Sequence, residues 1–138
     1  MFFHGKAVAV AEVGGAGRIV NGTLVVSGEI QPGGVGAVGE LVLSSAPVLD
    51  GATLVVDGDG RGGCDRLVVE APLSLAGLSL RVSDFSRIGA YISILLTAQS
   101  LDGAFDADNI VNRKSWKVRY SGDSAALIHA SGTVMIFR

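Results

Sequence analysis

The chain has 138 residues, of which 49% are hydrophobic and 17% charged, and its formal net charge is −2. This is enough for one domain with a core of its own, and the balanced charge predicts neither a nucleic-acid partner nor attraction to an anionic membrane. No apolar run approaches the roughly 18 residues of a membrane helix, so we expect no membrane insertion.

Glycine and β-branched residues set the expected fold class. The 20 glycines are about twice the average share, and with abundant Val and Ile they favour short strands and tight turns over helices. The single cysteine, Cys64, excludes an internal disulfide framework. With no catalytic motif around it, we expect Cys64 to be a small buried apolar residue. The sequence therefore predicts an all-β protein without a cofactor.

The first predicted strand lies in Ala7–Val13, where apolar residues alternate along the chain. A glycine-rich turn separates it from a second short strand at 18–20. The residues before Ala7 lack the pattern of a signal peptide. Since the sequence starts almost at once with a strand pattern, we expect the chain to be the C-terminal piece of a longer protein.

A glycine-punctuated strand cassette then recurs. Its apolar pairs begin at Leu24, Leu41, Leu54, Leu67 and Leu78, with offsets of 17, 13, 13 and 11 residues. Each cassette is too short to bury its own apolar face, so neighbouring cassettes must stack. Because strict solenoids keep their period, the shrinking offsets predict either coils made of several unequal strands or a stack that is ending.

From residue 89 the texture changes. Three of the five Phe, the only Trp and both Tyr lie after Asp84, where a stack would need a lid. We predict solenoid coils over 7–88 and capping strands over 89–138. The predicted capping elements are a strand at Ala90–Ala98, a turn into a short strand at Leu101–Phe105, a surface strand at Ser115–Tyr120, and a closing hairpin of Ala125–Ala130 with Thr133–Phe137.

The order of these segments resembles a known family. The segments that carry the likeness are Gly51-Ala-Thr-Leu-Val-Val, Cys64-Asp-Arg-Leu-Val-Val, Leu75-Ala-Gly-Leu-Ser-Leu, Gly89-Ala-Tyr-Ile-Ser-Ile-Leu-Leu-Thr-Ala, Leu101-Asp-Gly-Ala-Phe and Trp116-Lys-Val-Arg-Tyr. Together they look like the C-terminal end of the autotransporter-associated β-strand repeat proteins. One departure is Cys64, which stands where that family usually has an aromatic residue.

The resemblance implies a right-handed parallel β-solenoid (β-helix) from a large secreted or surface-displayed bacterial protein. It also implies a non-enzymatic structural or adhesive role outside the cell, with glycans as a further partner. Independently, a stack that starts at a bare strand edge should pair with another chain. We therefore expect self-association through the Ala7–Val26 end or a contact there with upstream repeats.

The glycine-rich loop 57–65 carries the strongest hypothesis for a metal site. Asp57, Asp59 and Asp65 could supply hard oxygen ligands to Ca²⁺. Their spacing matches neither an EF-hand nor a β-roll repeat, and Arg61 places a positive charge among them. The alternative is a turn whose Asp side chains bind their own backbone.

Two further functions remain open. In a carbohydrate-binding module Tyr91, Trp116 and Tyr120 would stack on sugar rings, whereas in a cap they would fill the core. In a polysaccharide-active β-helix enzyme Asp102, Asp106 and Asp108 would supply the paired acids. The basic residues Arg113, Lys114, Lys117 and Arg119 are expected to form a solvated face, and His129 to lie at a rim.

Overall fold

The computed structural model describes residues 7–10, 13–20, 23–34, 38–89, 91–110 and 115–129. These residues form strands and one turn of 3-10 helix, and they contain no α-helix. The strands are β1 (Ala7–Val10), β2 (Val13–Gly14), β3 (Gly17–Ile19), β4 (Thr23–Val26), β5 (Glu29–Gln31), β6 (Glu40–Leu43), β7 (Thr53–Val56), β8 (Arg66–Ser74), β9 (Ser79–Val82), β10 (Ile92–Asp102), β11 (Trp116–Tyr120) and β12 (Ser124–His129), and the 3-10 turn spans Phe85–Arg87.

Successive strands visit three sheets in rotation. Sheet I holds β1 and β4, sheet II holds β2, β5, β7 and β9, and sheet III holds β3, β6, β8, β10, β12 and β11 in that order. From β1 to β10, neighbours within a sheet pair in parallel. A chain that returns in parallel to one sheet after crossing the other two is coiling. The protein is a parallel β-solenoid of about three turns, which confirms the predicted fold class.

Register explains the uneven cassette spacing. Leu41 pairs with Leu67, which is 26 residues further along, and Ile30 pairs with Leu54 after 24 residues. The cassettes at Leu41, Leu54 and Leu67 therefore lie in sheets III, II and III, so an offset of 13 is half a coil. Of the two explanations drawn from the sequence, coils of several unequal strands is the one that the structure shows.

In-register ladders of aliphatic side chains form the core. Leu41, Leu67 and Leu96 follow one another in sheet III, and each is at most 4% exposed. Ile30, Leu54 and Leu80 form the matching ladder in sheet II. Because neighbouring strands lie only about 4.8 Å apart, each side chain packs on its equivalents above and below. Apolar burial is therefore shared among coils, and one cassette alone could not provide it.

Two ion pairs tie coils together on the outside of the stack. The guanidinium of Arg18 in β3 donates to both carboxylate oxygens of Glu70 in β8, at 2.5 and 2.9 Å, across the intervening strand β6. Arg81 in β9 reaches Glu29 in β5 at 2.8 Å, across β7. In each case the partners are 52 residues apart, about two coils of chain. These exposed pairs fix side-chain direction more than they stabilise the fold.

Sheet III changes direction at its C-terminal end. One edge of β10 pairs in parallel with β8, and the other pairs antiparallel with β12, which in turn pairs antiparallel with β11. β10 is thus the last coil strand as well as the first strand of the predicted capping region. β11 is the outermost strand of the described sheet.

Two sequence predictions about this end need correction. The short strand expected near Phe105 is absent, because the described residues 103–110 form a loop with one bridge, between Asp108 and Leu80. Phe105 is nevertheless 8% exposed and belongs to the core. The hairpin that the structure shows is β11 with β12. The predicted partner, Thr133–Phe137, lies outside the described residues.

Candidate functional site

Residues 57–65 form a small antiparallel excursion at the corner between β7 and β8, here called the corner hairpin. The N–H of Asp65 donates to the carbonyl of Asp57 at 2.9 Å, and the N–H of Asp59 donates to Gly63 at 3.0 Å. The backbone approaches the 3-10 turn closely, because Gly60 N–H donates to the carbonyl of Arg87 at 2.8 Å. A Cβ at Gly58 would lie 2.3 Å from that carbonyl oxygen, so this position requires glycine.

Asp65 is a fully buried carboxylate that joins two coils. Its Oδ1 accepts from the N–H of Gly39, just before β6, at 2.8 Å, and its Oδ2 accepts from the N–H of Asp57 at 2.9 Å. Burial raises the pKa of Asp65 to about 6, although the two N–H donors act in the opposite direction. Its side chain therefore organises backbone at the coil corner.

The other two carboxylates of the loop have different partners. Asp59 is exposed and accepts from the N–H groups of Arg61 and Gly63 at 2.7 and 2.9 Å, and these bonds lower the pKa of Asp59. Asp57 accepts a hydrogen bond from the hydroxyl of Ser83 on Oδ1, while its Oδ2 is buried and has no hydrogen-bond partner.

The corner hairpin therefore separates the carboxylates that the calcium hypothesis grouped together. Across the described ranges, no three His, Cys, Asp or Glu side chains converge in an arrangement that could hold a metal ion. Asp59 and Asp65 each already accept two backbone N–H groups. This geometry favours the alternative from the sequence, in which Asp side chains order the turn.

Cys64 packs partly against the core, and it is half-buried where the sequence predicted full burial. Its Sγ lies 3.9 Å from the carbonyl oxygen of Ile94. Burial is the main cause that raises the pKa of the Cys64 thiol, so little thiolate forms at neutral pH. The neighbouring hydroxyl of Ser93 is buried as well. This environment does not activate a nucleophile.

The candidate aromatic residues do not share one open face. Trp116 stacks on His129, with ring centroids 4.0 Å apart and planes inclined by 6°, and it also contacts Phe85 at 5.2 Å. The Tyr120 hydroxyl accepts from the N–H of Phe105 at 3.0 Å, and burial raises the pKa of this tyrosine. Tyr91 is 66% exposed.

The acids considered for an enzyme serve the loop that closes sheet II. The main chain of Asp106 donates to Leu78 at 2.7 Å, and the carbonyl of Asp102 accepts from Leu75 at 2.9 Å. The Asp108 carboxylate accepts from the N–H of Ile110, also at 2.9 Å. These bonds place the backbone of 102–110 along the end of the stack.

An edge cover, which the sequence reasoning missed, completes this end. The N–H of Leu80 donates to the carbonyl of Ala107 at 2.8 Å. The side-chain amide of Asn109 then imitates a strand: its Oδ1 accepts from the N–H of Val82 at 3.0 Å, and its Nδ2 donates to the carbonyl of Val82 at 2.9 Å. The outer edge of β9 is thus satisfied without another strand.

The solvated basic face is confirmed where it can be seen. Lys117 and Arg119 are exposed on β11 and alternate with half-buried neighbours, whereas Arg113 and Lys114 lie outside the described residues. Their charges therefore line the last strand of sheet III.

Comparison with models of known protein families finds no match, and a search of curated proteins finds no similar sequence. In the part of the chain that the structure describes, no helix is long and apolar enough to cross a membrane. The resemblance to the autotransporter-associated repeat proteins therefore depends on the sequence segments alone.

Proposed function

We propose that the chain is a non-enzymatic structural module that terminates a parallel β-stack. The observation that carries the proposal is the treatment of the C-terminal edges. The loop 106–109 covers β9 in sheet II, and the antiparallel strands β12 and β11 close sheet III. Bare strand edges recruit other chains, and repeat proteins end in atypical units for this reason.

The last strand carries a second form of protection. Lys117 and Arg119 are exposed on β11, and charged residues on an edge strand disfavour pairing with another strand. The rings of Trp116 and Tyr120 face the end of the core, where Trp116 packs on Phe85 and Tyr120 on Phe105. This packing favours a lid over a sugar-binding platform.

Secretion, surface display and adhesion are further parts of the proposal. Their support is the resemblance to autotransporter-associated repeat proteins, whose passenger regions act as stalks or adhesins. A structural role agrees with the site geometry, because the aspartates of the corner hairpin and of the loop 102–110 order backbone.

The capping role can be tested by removing the charges from β11. Replacing Lys117 and Arg119 together by Val should increase association, because the outer edge of β11 then lacks charged residues. The matched control is Lys117→Arg with Arg119→Lys, which exchanges the two side chains and keeps both charges. Analytical ultracentrifugation compares both variants with the unmodified chain.

We expect species of higher mass for the Val variant and unchanged sedimentation for the control. Identical sedimentation of all three proteins would count against the capping role. The exposed Tyr91 permits a parallel check with immobilised polysaccharides, where retention that Tyr91→Ala abolishes would favour the carbohydrate-binding module instead.

A further inference from the structure

The first coil presents three strand edges at one end of the stack. β1, β2 and β3 pair with β4, β5 and β6, and each is the outermost strand of its sheet. Among the described residues, nothing pairs with the other side of these three strands. We call this surface the open end, and the opposite surface, formed by the loop 106–109 with β11 and β12, the capped end.

The open end lacks the charges that protect an edge. Its strands Ala7–Val10, Val13–Gly14 and Gly17–Ile19 contain a single charged residue, Arg18. That guanidinium is held by both carboxylate oxygens of Glu70, which lies toward the capped end, beyond β6. Arg18 is thus neutralised and directed away from the edge, so it does not act as a gatekeeper.

An apolar depression accompanies these edges. It has a volume of about 240 Å³ and is lined by Val13, Ile19, Leu41 and the turn 14–18 between β2 and β3. Ile19 and Leu41 belong to the core cluster and are 8% and 4% exposed. The open end therefore combines backbone hydrogen-bonding groups with an apolar centre, which suits another strand-bearing end.

We propose that two copies of the chain dock through their open ends, first coil against first coil, to form a closed dimer with twofold symmetry. A head-to-tail contact would need an uncovered C-terminal edge, but Asn109 and the charged strand β11 occupy that end. The open end can therefore meet only its own equivalent, which gives an isologous contact that closes at two. This inference depends on the capping role proposed above.

The test uses the full chain and two lysine substitutions at opposite ends. Ala16 is exposed in the turn between β2 and β3, and Gly122 is exposed in the turn between β11 and β12, where an added Cβ meets no atom within 4 Å. Sedimentation over a wide concentration range measures the dimer dissociation constant. Circular dichroism checks that each variant keeps its β-sheet spectrum.

We expect a dimer for the unmodified chain and for Gly122→Lys. Ala16→Lys should raise the dissociation constant about tenfold or more, because the twofold axis brings two like charges together at the contact. Small-angle scattering of the unmodified chain gives a readout that needs no substitution. The particle should lengthen along the coil axis on dimerisation while its cross-section stays the same.

Several results would overturn the dimer. A chain that stays monomeric at every concentration overturns it and leaves the capping role intact, and so does a particle that widens without lengthening. Open-ended growth with concentration overturns the closure at two. If Gly122→Lys dissociates the dimer and Ala16→Lys does not, then the contact uses the capped end, and both the dimer and the capping role are wrong.

Discussion

The two ends of the solenoid solve the same physical problem differently. Every coil presents backbone N–H and C=O groups to the next coil, and at the capped end those groups find partners in the loop 106–109 and in β12. At the open end the described strands β1, β2 and β3 have no such cover. The difference shows that repetition builds the stack, whereas a change in sequence texture is needed to stop it.

The largest effect should come from the ladder in the middle of the stack. Leu67→Ala removes a side chain that is 0% exposed, between Leu41 and Leu96. We expect a loss of about 2–5 kcal/mol in the free energy of unfolding, measured by urea denaturation. Ile19→Ala should fall at or below the lower limit, because Ile19 already borders the depression at the open end.

The control for this comparison is Val48→Ala, which truncates a side chain that is 47% exposed and should change stability little. Equal losses for Leu67→Ala and Ile19→Ala would contradict the difference between the middle of the stack and its open end.

The edge cover should have an intermediate effect. Asn109→Ala removes the amide that pairs with both backbone groups of Val82, and we expect a loss of about 1–2 kcal/mol in thermal or urea unfolding. Asn109→Asp should cost at least as much, because it keeps the acceptor but places an oxygen against the carbonyl of Val82. Gln99→Ala, at an exposed position on β10, is the matched truncation of an amide.

If Asn109→Asp were as stable as the unmodified chain, the amide could not be acting as a strand mimic. Loss of stability in Gln99→Ala of the same size would also contradict a specific role for Asn109.

The corner hairpin should give a smaller effect that depends on pH. Burial raises the pKa of Asp65 to about 6 in the folded chain, above the ordinary value of 3.8, so the folded state binds more protons than the unfolded state between these values. This group therefore makes the protein more stable as the pH falls. Between pH 7 and pH 5 we expect a gain of about 1 kcal/mol in the free energy of unfolding.

Urea denaturation at several pH values checks this prediction, and Asp65→Asn should remove the rise. The variant should also be less stable at every pH, since an amide nitrogen would face one of the two N–H donors. At lower pH the sign reverses, because hydrogen bonds lower the pKa of Asp59, Glu70 and Asp84 and their contribution disappears on protonation. A flat profile for the unmodified chain between pH 7 and pH 5 would contradict the assignment.

Much of the fold could be predicted, while the candidate site could be predicted only in part. The cassettes carried the strand positions and the stacking, because short apolar strands at glycine joints have no other way to bury their faces. The role of Asn109 could not be predicted, since an amide covers a strand edge only if the loop returns to β9. For the same reason Asp57, Asp59 and Asp65 appeared as one cluster in sequence but have separate partners in the structure.

Composition and periodicity by themselves determined that this chain is all-β, that its strands stack in coils and that its bulky side chains gather near the C-terminus. These properties follow from local patterns of apolar residues and glycine. Tertiary structure decided the coil length of about 26 residues, the alternation of cassettes between sheets II and III, and the cover over β9. Those features depend on contacts between residues far apart in sequence, whose register no local pattern contains.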